Sequence, residues 1–320
     1  MRARSCFLVV GLVVLAVGGA RAETKIQAYA VPGGAGPHDV APAPDGTVWY
    51  TAQSQGALGR LDPKTGHAEQ IKLGADSAPH GVIIGPDGAP WVTDGGLNAI
   101  VRVDPETSKV AVYKLPARDS YANLNTASFD KRGRLWFTGQ NGYYGVLEPK
   151  SGEVRLFDAP KGTGPYGITT TPAGAVFYAS LAGSYLGHID LDSAKVEVIV
   201  PPTPNQGARR AWSDKEGGVW ISEWNAGRIA RFDSASGGWR TWQVPGGDAQ
   251  PYAIYVDETG KVWLSDFGAN ALWRFDPGSE KFEKYPLPHR HGSVRQLAGR
   301  AGEVWGAESS ADHLVVVRFQ

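Results

Sequence analysis

One string in this sequence returns seven times. Pro86-Asp87-Gly88-Ala89-Pro90-Trp91-Val92-Thr93-Asp94 has variants centred on the aromatic anchors Trp49, Trp91, Trp136, Phe177, Trp220, Trp263 and Trp305. Successive anchors lie 42, 45, 41, 43, 43 and 42 residues apart. A period of roughly 40–50 residues is that of a propeller blade, which is built from four short strands. The spacing therefore predicts seven units of one kind rather than two domains.

Each unit divides into four strands. Strand A is exemplified by Gly81-Val82-Ile83-Ile84, followed by a Pro-Asp-Gly turn whose residue chemistry marks a reversal. Strand B carries Trp91-Val92-Thr93, strand C is Ile100-Val101-Arg102-Val103-Asp104, and strand D is Val110-Ala111-Val112-Tyr113-Lys114-Leu115-Pro116. The alternation in C and D fits half-buried strands, and no stretch holds a helical period. Six D-type strands follow a strand C. The seventh is N-terminal, Ile26-Gln27-Ala28-Tyr29-Ala30-Val31-Pro32, while the chain finishes on the C-type strand Leu314-Val315-Val316-Val317-Arg318-Phe319. The predicted fold class is all-β: a seven-bladed β-propeller whose last blade is closed by the N-terminal strand. Closure removes the free sheet edge that would otherwise invite aggregation. The 42 Gly and 22 Pro become turn residues repeated blade by blade.

Residues 1–22 read differently. Met1-Arg2-Ala3-Arg4-Ser5 is a basic start, Cys6 to Ala20 is apolar and small, and Ala20-Arg21-Ala22 fits a cleavage site. This predicts a signal peptide over 1–22, a single propeller domain over 23–320, and a periplasmic or secreted protein. The apolar run is short for a bilayer span of roughly 20 residues, so the mature chain is expected to have none. The one Cys lies in the removed segment, which excludes a disulfide framework and every multi-cysteine metal motif. The full chain has 32 Lys plus Arg against 32 Asp plus Glu, so the basic footprint of a nucleic-acid binder is absent. A monomer acting on a small-molecule ligand is expected.

Strand A lines the channel of a propeller, and B returns beside it. The start of A and the end of B then share one rim, the upper mouth. Counting back 11 residues from each anchor gives His38, His80, Asn125, Tyr166, Arg209, Tyr252 and Val294. Counting forward three gives Ala52, Asp94, Gly139, Ser180, Glu223, Asp266 and Glu308. The anchors are uniform and these two rings are not, which suits a ligand site carried on a rigid scaffold. Asp94, Glu223, Asp266 and Glu308, with His38 and His80, offer oxygen and imidazole ligands to a divalent metal. The competing reading is a set of ion pairs, Arg209 with Glu223 and Arg295 with Glu308. His38, His80, His289, His291 and His313 map to this face on blades 1, 2 and 7, where imidazole serves as base, acid or metal ligand. Asn125, Tyr166, Arg209, Arg210, Trp224, Tyr252 and Phe267 would suit a cyclic, partly apolar ligand, with packing between blades as the alternative for Trp224 and Phe267.

The repeat text itself carries a resemblance. Pro79-His80-Gly81-Val82, Trp136-Phe137-Thr138, Trp220-Ile221-Ser222-Glu223-Trp224-Asn225-Ala226-Gly227-Arg228-Ile229 and Tyr113-Lys114-Leu115-Pro116 resemble the virginiamycin B lyase (streptogramin lyase) family over roughly residues 23–320. That resemblance implies a seven-bladed, Mg²⁺-dependent lyase that linearises a cyclic depsipeptide by elimination across its ester; for the divalent metal of this chain the residues leave Ca²⁺ or Mn²⁺ open beside Mg²⁺. It further implies a His at the start of one blade, then a Glu-Pro-His start and a strand-B Glu on the last. Here the last two blades start at Gln250-Pro251-Tyr252 and Val294, and only Glu308 corresponds. His291 stands three residues before the expected place. His38, Ala78-Pro79-His80 and Asp94 repeat the pattern one sector round the ring. The expected catalytic set is therefore His38, His80 and His291. The alternatives are a non-catalytic binding propeller and a lactonase-like hydrolase of gluconolactonase/SMP-30 type.

Overall fold

The computed structural model describes residues 26–117 and 121–319. The expected signal peptide lies outside the described residues. The chain forms seven four-stranded antiparallel sheets. Six are simple meanders of consecutive strands. The seventh is completed by Ile26–Ala30, which pairs with His313–Arg318 so that Ile26 faces Val317 and Ala30 faces His313. The closure expected from the N-terminal D-type strand is the closure observed. No helix among the described residues is long and apolar enough to cross a membrane.

The anchors show why the repeat is written as it is. Each is buried against the blade that follows. Trp91 packs with Leu124, Leu135 and Leu147 of blade 3, and Trp305 packs with Val40, Val48 and Leu61 of blade 1. Seven apolar clusters result, one per blade interface. A buried indole still carries an N–H that needs an acceptor. The turn aspartate supplies it: Trp91 Nε1 donates to Asp87 at 3.0 Å, Trp136 to Asp130 at 2.9 Å, Trp220 to Asp214 at 2.9 Å and Trp263 to Asp257 at 2.8 Å. The glycine of the same turn holds a positive φ, +76° at Gly88, which a side chain would strain.

Strand A is the innermost strand of each blade, for example Pro37–Pro42 in blade 1, Pro79–Ile84 in blade 2 and Ala208–Ser213 in blade 5. Every strand A carries a bulge just after its first residue. The bulge frees a backbone N–H, and in five of the blades a strand-B hydroxyl takes it. Thr93 Oγ1 accepts from Gly81 N at 2.9 Å and donates to the Asn125 carbonyl of the next blade at 2.6 Å. Thr51, Thr138, Ser222 and Ser265 make the same pair of hydrogen bonds, one accepted and one donated, in their blades. The blades are thus tied around the ring by hydrogen bonds as well as by apolar packing.

Candidate functional site

The bulge turns two successive residues of each blade toward the upper mouth. The outer of these two rings is His38, His80, Asn125, Tyr166, Arg209, Tyr252 and Arg295. The seventh member differs from the sequence expectation. Ala298 pairs with Trp305, seven residues on, whereas Ala41 pairs with Trp49, eight residues on. The A–B turn of blade 7 is one residue shorter, so Arg295 takes the mouth position and Val294 pairs with Glu308 behind it.

The inner ring contains one acid and one base, Asp39 and Arg210, and they meet. Arg210 reaches across the channel from blade 5. Its Nη2 donates to Asp39 Oδ1 of blade 1 at 2.7 Å, its Nη1 to Thr126 Oγ1 of blade 3 at 2.8 Å, and its Nε to the Arg295 carbonyl of blade 7 at 3.0 Å. Both side chains are buried. His38 Nδ1 donates to the same Asp39 oxygen at 2.8 Å, which fixes Nε2 as the lone-pair nitrogen. His80 is clamped by one residue: its Nδ1 donates to the Asn125 carbonyl at 3.1 Å, and Asn125 Nδ2 lies 3.3 Å from its Nε2. The two imidazole rings are 4.0 Å apart between centroids. Burial holds His38 well below its ordinary value, helped by Arg210 and Arg295. Burial does the same to His80, with His38 adding to it. Both rings are therefore neutral at neutral pH. Burial raises the Asp39 carboxyl, and the Arg210 charge opposes that rise.

Blades 4 to 6 supply a second wall. The Arg209 guanidinium carbon stands 4.4 Å from the Trp224 ring centroid, 4.5 Å from that of Tyr252 and 5.8 Å from that of Tyr166. Tyr252 stacks on Phe267 at 5.1 Å, and Trp224 meets Phe267 edge-on at 5.2 Å. The Tyr166 and Tyr252 hydroxyls hydrogen-bond to each other. Trp224 and Phe267 pack between blades 5 and 6, as the alternative reading expected, and lie beside the mouth. Arg295 completes this side, 5.8 Å from the Phe267 centroid. Three arginines against one carboxylate make the mouth cationic.

The four strand-B carboxylates are not gathered. Among the described residues the one set of three potential metal-ligating side chains with ligand atoms within 4.8 Å of one another is His38, Asp39 and His80. Asp94 instead binds the loops of its own blade, accepting from Ser77 Oγ at 2.5 Å, Ala78 N at 3.0 Å and Leu97 N at 2.9 Å. Asp266 accepts from Gln250 N, Gly268 N and Trp273 Nε1. Glu308 lies 2.6 Å from His289 Nδ1. Glu223 lies 3.7 Å from Arg228, and burial raises its carboxyl. The ion pairs expected for Glu223 and Glu308 form with different partners, Arg228 and His289, because Arg209 and Arg295 face the channel. His291 is exposed on the loop into blade 7, and its neighbour His289 takes the place beside Glu308, 4.1 Å from the His313 ring.

His38, Asp39 and His80 have the donor types of a divalent-metal site, yet their atoms are largely committed. Asp39 Oδ1 carries Arg210 and His38, and both nitrogens of His80 are engaged by Asn125. A dication here would also face Arg210 and Arg295. The set fits such an ion poorly. Asp39 was missed in the sequence. The signal was present one position along the same repeat alignment, where Asp39, Gly81, Thr126, Gly167, Arg210, Ala253 and Gln296 include a single complementary pair.

A closed seven-bladed propeller with a buried His–Asp–Arg network beside an aromatic, cationic wall is the class of protein that the fold and the mouth define. Residues 14–238, over two thirds of the chain, match the virginiamycin B lyase family, and the chain belongs to it. Comparison with curated proteins finds no match. Among solved structures, virginiamycin B lyase from Staphylococcus aureus superposes with a TM-score of 0.85 at 22% identity, covering 93% of this chain and 100% of that one. A catalytically inactive histidine-to-alanine variant of that enzyme, with quinupristin, gives the same TM-score of 0.85 and 22% identity, with 93% and 100% coverage. The extracellular domain of the two-component system BT4673 from B. thetaiotaomicron superposes with a TM-score of 0.70 at 13% identity over 91% of this chain and 41% of that one. These likenesses show the fold.

Proposed function

We propose that the upper mouth binds a small, partly aromatic molecule with an ester and acts on it as a lyase, with His38 as the base. The observation that carries this reading is the His38–Asp39 pair: a neutral imidazole whose Nδ1 is held by a carboxylate and whose Nε2 has no hydrogen-bond partner among the described residues. In that role Nε2 takes the proton from the carbon beside the substrate carbonyl. The electron pair left behind forms the new C=C bond, and the neighbouring C–O ester bond breaks to release a carboxylate. Arg209 and Arg295 supply the positive charge that such a leaving group needs. Asp39 orients His38 and stabilises its protonated form. Asn125 fixes His80 beside it, while Tyr166, Trp224 and Tyr252 hold the apolar part of the ligand. No step runs through a metal.

A second reading is ligand binding without turnover. It is favoured by Tyr252 and Arg295, which stand where the family resemblance expects histidines. The discriminating experiment is incubation with virginiamycin B and with simple lactones, followed by mass analysis. A ring-opened product of unchanged mass supports elimination. A gain of one water supports lactonase-type hydrolysis. Saturable binding with no product supports the second reading. We also propose that the chain is exported, since residues 1–22 have the pattern of a signal peptide. N-terminal sequencing of the protein from its host should then begin at Glu23.

A further inference from the structure

Below the Asp39–Arg210 bridge the channel opens into a separate chamber of about 300 Å³. That is the lower end of the range for small-molecule sites. None of His38, His80, Asn125, Tyr166, Arg209 or Tyr252 lines it. Its walls are mainly apolar, with Ile84, Trp91, Phe129 and Trp212 among them. Trp91 and Phe129 meet edge-to-face at 5.6 Å, and Phe129 and Trp212 are only half-buried, which leaves aromatic surface facing the space.

Asp39 and Arg210 both line this chamber, and they differ in what they leave open. The Arg210 guanidinium is bonded through Nε, Nη1 and Nη2 to protein acceptors. Asp39 uses Oδ1 for both His38 and Arg210, and its Oδ2 has no hydrogen-bond partner among the described residues. Asp39 as a whole is 2% exposed, and Oδ2 is not among the fully buried atoms that lack a partner, so this open oxygen keeps its accessible area within the channel. A ligand that covers this oxygen must donate to it, because covering it without a donor costs its desolvation. Gly81, which also lines the chamber, keeps the approach clear: a Cβ there would stand 3.5 Å from Asp39 Oδ2 and 2.8 Å from Thr93 Oγ1.

We propose that this lower chamber is a second binding site, distinct from the upper mouth, for a small aromatic molecule bearing one hydrogen-bond donor that seats on Asp39 Oδ2. The aromatic walls take the ring by area and by edge-to-face contact. The open Asp39 oxygen at the chamber's end is the one carboxylate in the lining, and it selects for a donor and against an isostere without one, because the isostere leaves that oxygen unpaired.

Indole and benzofuran share a shape and differ in an N–H against an ether oxygen, so they make the test. Calorimetric titration of the full chain should show one indole per chain, with benzofuran at least tenfold weaker. Ser128→Phe fills the chamber and should abolish indole binding. Arg209→Ala alters only the upper mouth and should leave indole affinity within twofold. Should Ser128→Phe fail to fold, crystals of the unaltered protein soaked in indole decide: density against Asp39 Oδ2 supports the site. Equal affinities for the two probes, loss of indole binding in Arg209→Ala, density at the upper mouth, or no binding at all would each overturn it. The outcome does not depend on whether the upper mouth turns over any substrate.

Discussion

Arg210 of blade 5 and Asp39 of blade 1 form a buried ion pair 2.7 Å long across the channel of a seven-bladed ring. Blades that are not neighbours around the ring are joined through its centre. Removing one member of a buried pair costs more than removing both, because it strands a charge. Arg210→Ala should lower unfolding stability by about 3–5 kcal/mol in urea titration. The double change Arg210→Met with Asp39→Asn should recover much of that loss. A double variant no better than the single would show that the bridge does not hold the ring.

The same cluster sets a pH dependence. Folding holds His38 and His80 well below 6.5, and unfolding returns them to it. Between the folded and unfolded values the unfolded chain binds more protons, so stability rises with pH in that window. The contribution is complete above pH 6.5 and is lost as pH falls. Each histidine adds a slope of up to about 1.4 kcal/mol per pH unit. Asp39, raised above 3.8, works in the opposite sense and flattens the decline in stronger acid. Urea titrations from pH 7.5 downward should show the slope, and His38→Gln should reduce it.

Most of the fold was legible because it is written seven times. The anchor Trp, the turn Asp that takes its indole N–H and the turn Gly recur as text, and the spare strands at the two termini declare the closure. The mouth was only half legible. A fixed count from the anchor found His38, His80, Asn125, Tyr166, Arg209 and Tyr252, and failed at blade 7, where a turn shorter by one residue brings Arg295 forward. The roles of Asp94, Glu223, Asp266 and Glu308 were not readable from position. Whether a carboxylate at a strand end faces a ligand or its own loop depends on the loop, and here nearby donors such as Leu97 N and Gly268 N claim them.

The hydroxyl ties between blades give a test independent of function. Thr93 satisfies the Gly81 N–H and the Asn125 carbonyl together. Thr93→Val keeps the shape, strands the Gly81 N–H and leaves the Asn125 carbonyl to His80 Nδ1 alone, an expected cost of about 1–3 kcal/mol. Blades 4 and 7 carry Ala179 and Ala307 at the matching position. Ala179→Val should not show the same loss by this route, since no hydroxyl bond is removed. Thermal unfolding of the two variants side by side would settle whether the hydroxyl, rather than the volume, accounts for the difference.

The proposed chemistry stands on His38 and not on a metal or on His291. A base held well below 6.5 remains neutral into mild acid, so the acid limb of kcat/KM should lie below pH 6.5. Arg210→Lys would disturb the positive charge beside it and should move that limb. His38→Ala should cut turnover by about 10²–10⁴-fold, the usual share of a general base. His291→Ala should change it by less than twofold, since that imidazole is exposed and makes no side-chain hydrogen bond among the described residues. Exhaustive chelation should leave both binding and turnover intact, because Asn125 engages both nitrogens of His80 and the Arg210 and Arg295 charges oppose a dication beside His38 and Asp39. Loss of activity on chelation, restored by a divalent cation, would instead require His38, Asp39 and His80 to rearrange around that ion. In that case His80 must turn from Asn125, and Arg210→Met, which removes the opposing charge, should tighten metal binding.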